Sequence, residues 1–216
     1  MKAAYLLIIF LALGSLVEAQ TQRVRDTTRA GDPAPDFTLA PADGGGEIRL
    51  SNFRGEKPVV LIFGSYTCPP FRDVYPTMER LHDEYGDRVA FLYVYIREAH
   101  PQDGWKIPRN ERQGIRIFDP KTYDERQQQV RTACAFFETK IPAVVDKMDD
   151  AVSRAYAAWP SRIFLVDEGG IIAVHGGPGP RGLVPAAREV ASWLKDRYGA
   201  GPGRLSGPPL RREGGE

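Results

Sequence analysis

The stretch Pro58-Val59-Val60-Leu61-Ile62-Phe63-Gly64-Ser65-Tyr66-Thr67-Cys68-Pro69-Pro70-Phe71 decides the fold. Its first six residues are a near-continuous apolar run, the pattern of a strand buried on both faces of a sheet. The run stops in a polar turn, and the two prolines after Cys68 suit the first turn of a helix, where no backbone N–H is needed. A helix from about Pro70 to Tyr85 follows, with Val74, Met78, Leu81 and Tyr85 at helical spacing and Gly86 as its stop. Cys68 therefore sits where a buried strand hands over to a helix N-terminus. There a thiolate would meet unpaired N–H groups and the positive end of the helix dipole, both of which lower a thiol pKa.

Outward from this junction the pattern stays mixed. On the N-terminal side, Phe37-Thr38-Leu39 and Glu47-Ile48-Arg49-Leu50 read as a hairpin turned through Asp43-Gly44-Gly45-Gly46. On the other side, Val89 to Ile96 reads as a second buried strand. Thr122-Tyr123-Asp124-Glu125 has capping-box form and opens a helix to about Glu138. Ala143-Val144-Val145 is a strand candidate. Ile163–Val166 and Ile171–Val174 form a hairpin turned through Glu168-Gly169-Gly170, and a last helix runs from about Val184 to Tyr198 with Pro185 in its first turn. This order predicts an α/β domain of thioredoxin-like fold: a central mixed sheet, helices on both faces, and an N-terminal β-hairpin extension.

The 216 residues suffice for one domain with tails, and 42% hydrophobic positions suffice for a core. A net charge of +1 lacks the footprint of a dedicated nucleic-acid binder. Two cysteines and three histidines show no metal-ligand spacing, so no metal site is expected. Met1-Lys2, an apolar run from Ala3 to Val17 and Val17-Glu18-Ala19 read as a signal peptide over residues 1–19. The expectation is an exported protein, periplasmic or secreted; the alternative is an uncleaved N-terminal membrane anchor. Residues 20–32 read as a linker, 33–198 as the folded domain, and 199–216 as a disordered Gly/Pro-rich tail.

The chemistry centres on Cys68, with Ser65 and Thr67 offering hydroxyls to a thiolate or developing anion. Phe71 occupies the position where a C-x-x-C pair would need its second cysteine, so internal dithiol exchange through that motif is ruled out. The peroxiredoxin pattern is half present, with Ser65 fitting and Leu61 standing where a proline belongs. A second informative stretch, Tyr95-Ile96-Arg97-Glu98-Ala99-His100-Pro101-Gln102-Asp103-Gly104-Trp105, leaves the C-terminal end of the next strand, the edge where sites collect in open α/β sheets. Glu98 and His100 form a candidate proton relay, and Tyr66 and Trp105 candidate aromatic walls. Pro160 approaches the Ile163 strand as a candidate site wall. Cys134 reads either as core filling or as a resolving cysteine for Cys68. Gly177–Gly182 is literally G-x-G-x-x-G, but its two prolines remove the donors a phosphate would need, so dinucleotide binding is discounted. His82 reads as a surface residue, and His175 carries no partner motif.

Phe63-Gly64-Ser65-Tyr66-Thr67-Cys68-Pro69-Pro70-Phe71 resembles the selenocysteine motif of the iodothyronine deiodinases, with Cys68 at the selenocysteine position. The match continues through Tyr95, Ile96, Glu98, Ala99, His100, Pro101, Asp103, Gly104 and Trp105, and through later landmarks that include Arg162 and Gly176-Gly177-Pro178-Gly179-Pro180. The resemblance implies reductive removal of iodine from an iodinated phenol ring. Cys68 would take up the halogen, His100 supported by Glu98 would hold or protonate the substrate, and Arg162 would belong to the substrate-binding set. No resident cofactor is implied, only a halogenated aromatic or peroxide substrate and an external thiol reductant. Membrane association follows only from an uncleaved N-terminus, and homodimer formation is left open. Lys121, Ser161 and Pro178 stand where the family has a second functional His, a Glu and an Arg. The alternatives are a peroxiredoxin-like thiol peroxidase, a thiol-disulfide oxidoreductase, and a non-catalytic thioredoxin-fold binding protein.

Overall fold

In the computed structural model, residues 25–200 are described. The signal-peptide reading of 1–19 lies outside the described residues, as does nearly all of the tail reading.

The apolar run becomes strand β3, flanked by two partners. The strands are β1 (Thr38–Pro41), β2 (Ile48–Arg49), β3 (Val59–Gly64), β4 (Ala90–Tyr95), β5 (Ala143–Val145), β6 (Arg162–Val166) and β7 (Ile172–His175). They form one sheet in the order β2-β1-β5-β4-β3-β6-β7. β3 pairs in parallel with β4 and antiparallel with β6, and β4 pairs in parallel with β5, so the sheet is mixed. The helices are α1 (Pro69–Tyr85), α2 (Pro108–Arg112), α3 (Tyr123–Phe137), α4 (Ala151–Ala155) and α5 (Gly179–Tyr198).

Strand alternation sorts the apolar side chains into two cores. Val60, Ile62, Tyr93, Tyr95, Val145, Ile163 and Leu165 pack with residues of α1, α3 and α5. Leu61, Phe63, Val94, Val144, Phe164 and Val166 pack on the other side with Leu50, Val152 and Tyr156. The two parallel crossovers, β3-α1-β4 and β4-α3-β5, share one hand, which places both helices on one face. The short α4 and the 3-10 turn Leu50–Phe53 cover the opposite face.

Close packing explains the glycine ahead of the thiol turn. Phe71 is fully buried and stacks on Tyr93 with ring centroids 5.0 Å apart. Its ring fills the space that a Cβ on Gly64 would occupy. Burying one large apolar side chain contributes about 1.5–3 kcal/mol, and a Cβ at Gly64 would displace it.

Two boundaries depart clearly from the sequence reading. The second hairpin strand shrinks to Ile48–Arg49, because Leu50 turns inward as the start of the 3-10 helix. α5 begins at Gly179 and not Val184; Pro180 serves its first turn and Pro185 lies inside the helix. Within the G-x-G-x-x-G stretch Gly182 serves packing, since a Cβ there would strike the Gly177 backbone, and so does Gly176 just before it, where a Cβ would strike the Ile163 carbonyl. α2 and α4 were not anticipated; each has five residues, too short for a periodic pattern to register.

Residues 25–32, read as part of a linker, lie against the domain. Thr28 is buried, Gly31 N–H donates to the Ile172 carbonyl at 2.9 Å, and Ile172 N–H donates back to Asp32 at 2.9 Å. His175 does have partners here: Nε2 lies 3.2 Å from the Thr28 hydroxyl and 3.4 Å from the Asp26 carboxylate.

Candidate active site

Cys68 is the N-cap of α1, with Pro69 and Pro70 following in the first turn. It is almost fully buried, and Sγ lies 3.5 Å from Ser161 Oγ, within hydrogen-bond range for sulfur. The Trp159–Pro160 peptide is cis, and Ser161, not the expected Pro160, makes the contact with the thiol. Both cysteines are free thiols.

Burial dominates the electrostatics of the thiol. It pushes Cys68 above its ordinary pKa, against downward pulls from Ser161, the Phe71 N–H and the Arg72 charge. This corrects the expectation of a depressed thiol pKa: the helix N-terminus is present, but the sulfur is too well shielded from water for it to prevail. The resting thiol is therefore protonated at neutral pH.

Ser65 and Thr67 turn out to serve the loop after β4 rather than the sulfur. Ser65 Oγ accepts the Ala99 N–H at 3.1 Å, and Thr67 Oγ1 accepts the His100 N–H at 3.0 Å. Thr67 in turn donates through its own N–H, at 2.9 Å, and its hydroxyl to Glu98 Oε2, while the Tyr95 hydroxyl donates to Oε1. Glu98 is thus held by Thr67 and Tyr95. Burial raises its pKa, and the hydrogen bonds from Thr67, Tyr95 and Ser65 oppose the rise. Its expected role beside the imidazole is corrected: Glu98 acts on His100 only through Thr67 and the backbone.

What orients the imidazole is Trp105. His100 Nδ1 lies 3.1 Å from the Trp105 carbonyl oxygen, which can only accept, so Nδ1 carries the proton and Nε2 keeps a free lone pair. The Trp105 ring stands edge-on to the imidazole at 4.5 Å and is 67% exposed. Half-burial holds His100 below the usual histidine pKa; the Trp105 carbonyl opposes this and the Arg72 charge adds to it. Tyr66 forms the other aromatic wall, packed on Phe136 at 5.0 Å and Phe137 at 6.3 Å. Phe136 is 56% exposed beside it.

Arg162 is not brought to this site. It alternates with Ser161, and so projects to the face of Phe164 and Tyr156. There its guanidinium donates to the carbonyls of Tyr156, Ala157 and Gly176 and pairs with Asp26 at 2.6 Å. Lys121 pairs with Asp103 at 3.1 Å beside a cavity of about 370 Å³ that Phe118, Asp119, Glu125 and Gln129 also line.

Sequence reasoning missed Arg72 and Asn110 as site residues, and named Pro160 where its neighbour Ser161 makes the contact. Arg72 Nη1 donates to the Tyr66 carbonyl at 2.6 Å, and Asn110 Nδ2 donates to the Thr67 carbonyl at 2.8 Å. Among the described residues no group of three or more His, Cys, Asp and Glu side chains is placed to hold a metal ion, and no helix is long and apolar enough to cross a membrane.

A buried thiol at a strand-to-helix junction, in contact with Ser161 next to a cis-proline, sits on a thioredoxin-like fold. The chain is similar to a thiol:disulfide interchange protein from Chlorobium tepidum, with TM-score 0.55 and 20% identity over 78% of this chain and 99% of that one. It is also similar to the thioredoxin domain of a thiol-disulfide oxidoreductase from Bacteroides vulgatus, with TM-score 0.54 and 17% identity over 78% and 99%. Within that class the chain belongs to the iodothyronine deiodinase family, whose family model matches residues 4–198. It is 36% identical to thyroxine 5-deiodinase of Gallus gallus over 80% of this chain and 64% of that protein. Against thyroxine 5-deiodinase of Bos taurus it is 35% identical over 84% and 57%. The chain therefore spans about three-fifths of the length of these relatives.

Proposed function

We propose that the chain is an exported thiol enzyme that removes iodine reductively from an iodinated phenol ring, with Cys68 as the nucleophile. The observation that carries this reading is the placement of Cys68 at the α1 N-terminus, in a turn that Thr67 ties to the His100 loop. Neutral His100, with Nε2 free, takes the thiol proton as substrate enters between the two side chains. The sulfur attacks iodine, the carbon–iodine bond breaks, and its electron pair stays on the ring carbon. The imidazolium returns the proton to that carbon, giving the deiodinated ring and a Cys68 sulfenyl iodide. An external thiol displaces iodide to form a mixed disulfide, and a second external thiol releases Cys68. In sum, one aryl iodide and two thiols give one arene, one disulfide, iodide and a proton. Phe71 leaves no neighbouring cysteine to shorten this cycle. Exposed Trp105 and Phe136 supply apolar surface for an aromatic ring.

The test is turnover of iodinated phenols, hydrogen peroxide and mixed disulfides by wild type and Cys68→Ser with a dithiol reductant. Iodide release by wild type alone supports the proposal. Turnover confined to peroxide or disulfide reassigns the activity, and no turnover at all supports a binding protein.

A further inference from the structure

Arg72 is a buried cation without a carboxylate partner among the described residues. Only 8% of it is exposed, and no ion pair to it forms among the described residues. Asp73, its neighbour in sequence, is taken by Arg109 at 2.5 Å. Its guanidinium instead donates to three neutral oxygens: the Tyr66 carbonyl at 2.6 Å, Asn110 Oδ1 at 2.8 Å and Gln113 Oε1 at 2.7 Å. Taking a guanidinium out of water is costly when no anion compensates it. A fold that keeps one here gains from an anion that is present only part of the time.

Geometry identifies that anion. Arg72 stands four residues after Cys68, and its N–H donates to the Cys68 carbonyl at 3.1 Å as the first helical bond of α1. Residues so spaced share one side of a helix turn. Asn110 holds both the guanidinium and the Thr67 carbonyl, which binds α2 to the thiol turn and fixes where the charge sits. We propose that Arg72 is the counter-ion for the negative charge that develops at Cys68, and that Asn110 and Gln113 hold it in position for that purpose. This rests on the reading of Cys68 as the nucleophile. When the S–H bond breaks and the proton leaves to His100 Nε2, the guanidinium charge stabilises the thiolate; it also disfavours a lasting imidazolium, which helps the proton move on to the substrate. Glu98 opposes it at the sulfur, and Arg109, Tyr66, Asp73 and His100 are the other titratable side chains within its field. Arg72 is a positioning residue with a fixed charge, not a proton carrier.

The experiment measures alkylation of Cys68 by iodoacetate, an anion, and by iodoacetamide, which is neutral, in the full chain carrying Cys134→Ser, with adduct mapping by mass spectrometry. Arg72→Met should cut the iodoacetate-to-iodoacetamide rate ratio roughly tenfold and raise the apparent thiol pKa by about one unit. Arg72→Lys, which keeps the charge, should retain most of both, and Asn110→Ala should lose part of the ratio. Arg72→Lys and Asn110→Ala keep the test decisive should Arg72→Met fail to fold. Equal slowing of both reagents with an unmoved thiol pKa would make Arg72 a mere strut and overturn the proposal. A wild-type Cys68 that no reagent alkylates below denaturing conditions overturns the nucleophile reading itself, a separate and recognisable failure.

Discussion

Thr67 Oγ1 accepts the backbone N–H of His100 at 3.0 Å, joining the turn that carries the thiol to the loop that carries the imidazole. The same hydroxyl donates to Glu98, so one side chain fixes two loops from adjacent parallel strands. Thr67→Val keeps the shape and leaves the His100 N–H and Glu98 Oε2 short of a partner. Urea denaturation should show a loss of about 1–3 kcal/mol, with Thr67→Ser close to wild type. A Thr67→Val protein as stable as Thr67→Ser would show that the hydroxyl does not bind the loops.

Glu98 carries a pH signature with a definite sign. Its pKa is raised by burial in the fold, so the native state holds a proton that the unfolded chain has already released. Its contribution is therefore greatest below the ordinary carboxyl pKa and declines as pH rises through the folded value. Glu98→Gln mimics the protonated form and should flatten that decline. Denaturation midpoints of the two proteins across pH 4 to 8 measure the difference; parallel curves would contradict it.

His100 must be neutral to accept a proton, and its pKa lies below the usual histidine value. The acid limb of kcat/KM should fall with a midpoint below about 6.5, and activity at pH 7 should be insensitive to it. His100→Ala should cost about 10²-fold or more and abolish that limb. An unchanged limb in the variant would assign it to another group.

Arg162 and Asp26 lie across the sheet from the thiol, and their role is stability. Arg162→Met removes a guanidinium that serves three carbonyls and a carboxylate, and should destabilise by about 3–5 kcal/mol. Asp26→Asn should cost less, about 1 kcal/mol, because Asp26 is partly exposed. Iodide release per folded molecule should be unchanged in Asp26→Asn; a selective loss of turnover would place that face in the reaction.

The elements that dominate the fold were plain in the chain because each obeys one local rule. β3 and β4 are apolar runs, Thr122 and Glu125 do form a capping box, and the Glu168-Gly169-Gly170 turn does join antiparallel strands. Cys68 and His100 were legible as residue types at strand ends. Their partners were not, because partnership is decided by which face a side chain leaves. Ser161 and Arg162 differ by one position and by a whole sheet, and only the register of β6 on β3 tells which meets the sulfur. Arg72 was hidden in an ordinary amphipathic helix. Its meaning comes from Asn110 on a five-residue helix that no periodicity announces.

The backbone bonds between Gly31–Asp32 and Ile172 bear on how the domain meets other chains. Strand β7 ends the sheet, and a bare terminal strand is a template for adding foreign strands. The N-terminal segment occupies the outward N–H and carbonyl of Ile172, Pro33 bridges Ile171, and Ala34 N–H takes the Gly170 carbonyl at 2.9 Å. At the far border, β2 offers only two residues. Both borders are thereby blunted against strand-to-strand aggregation, and a truncation that removed residues 25–34 would expose β7 and turn a well-behaved domain into one prone to self-association.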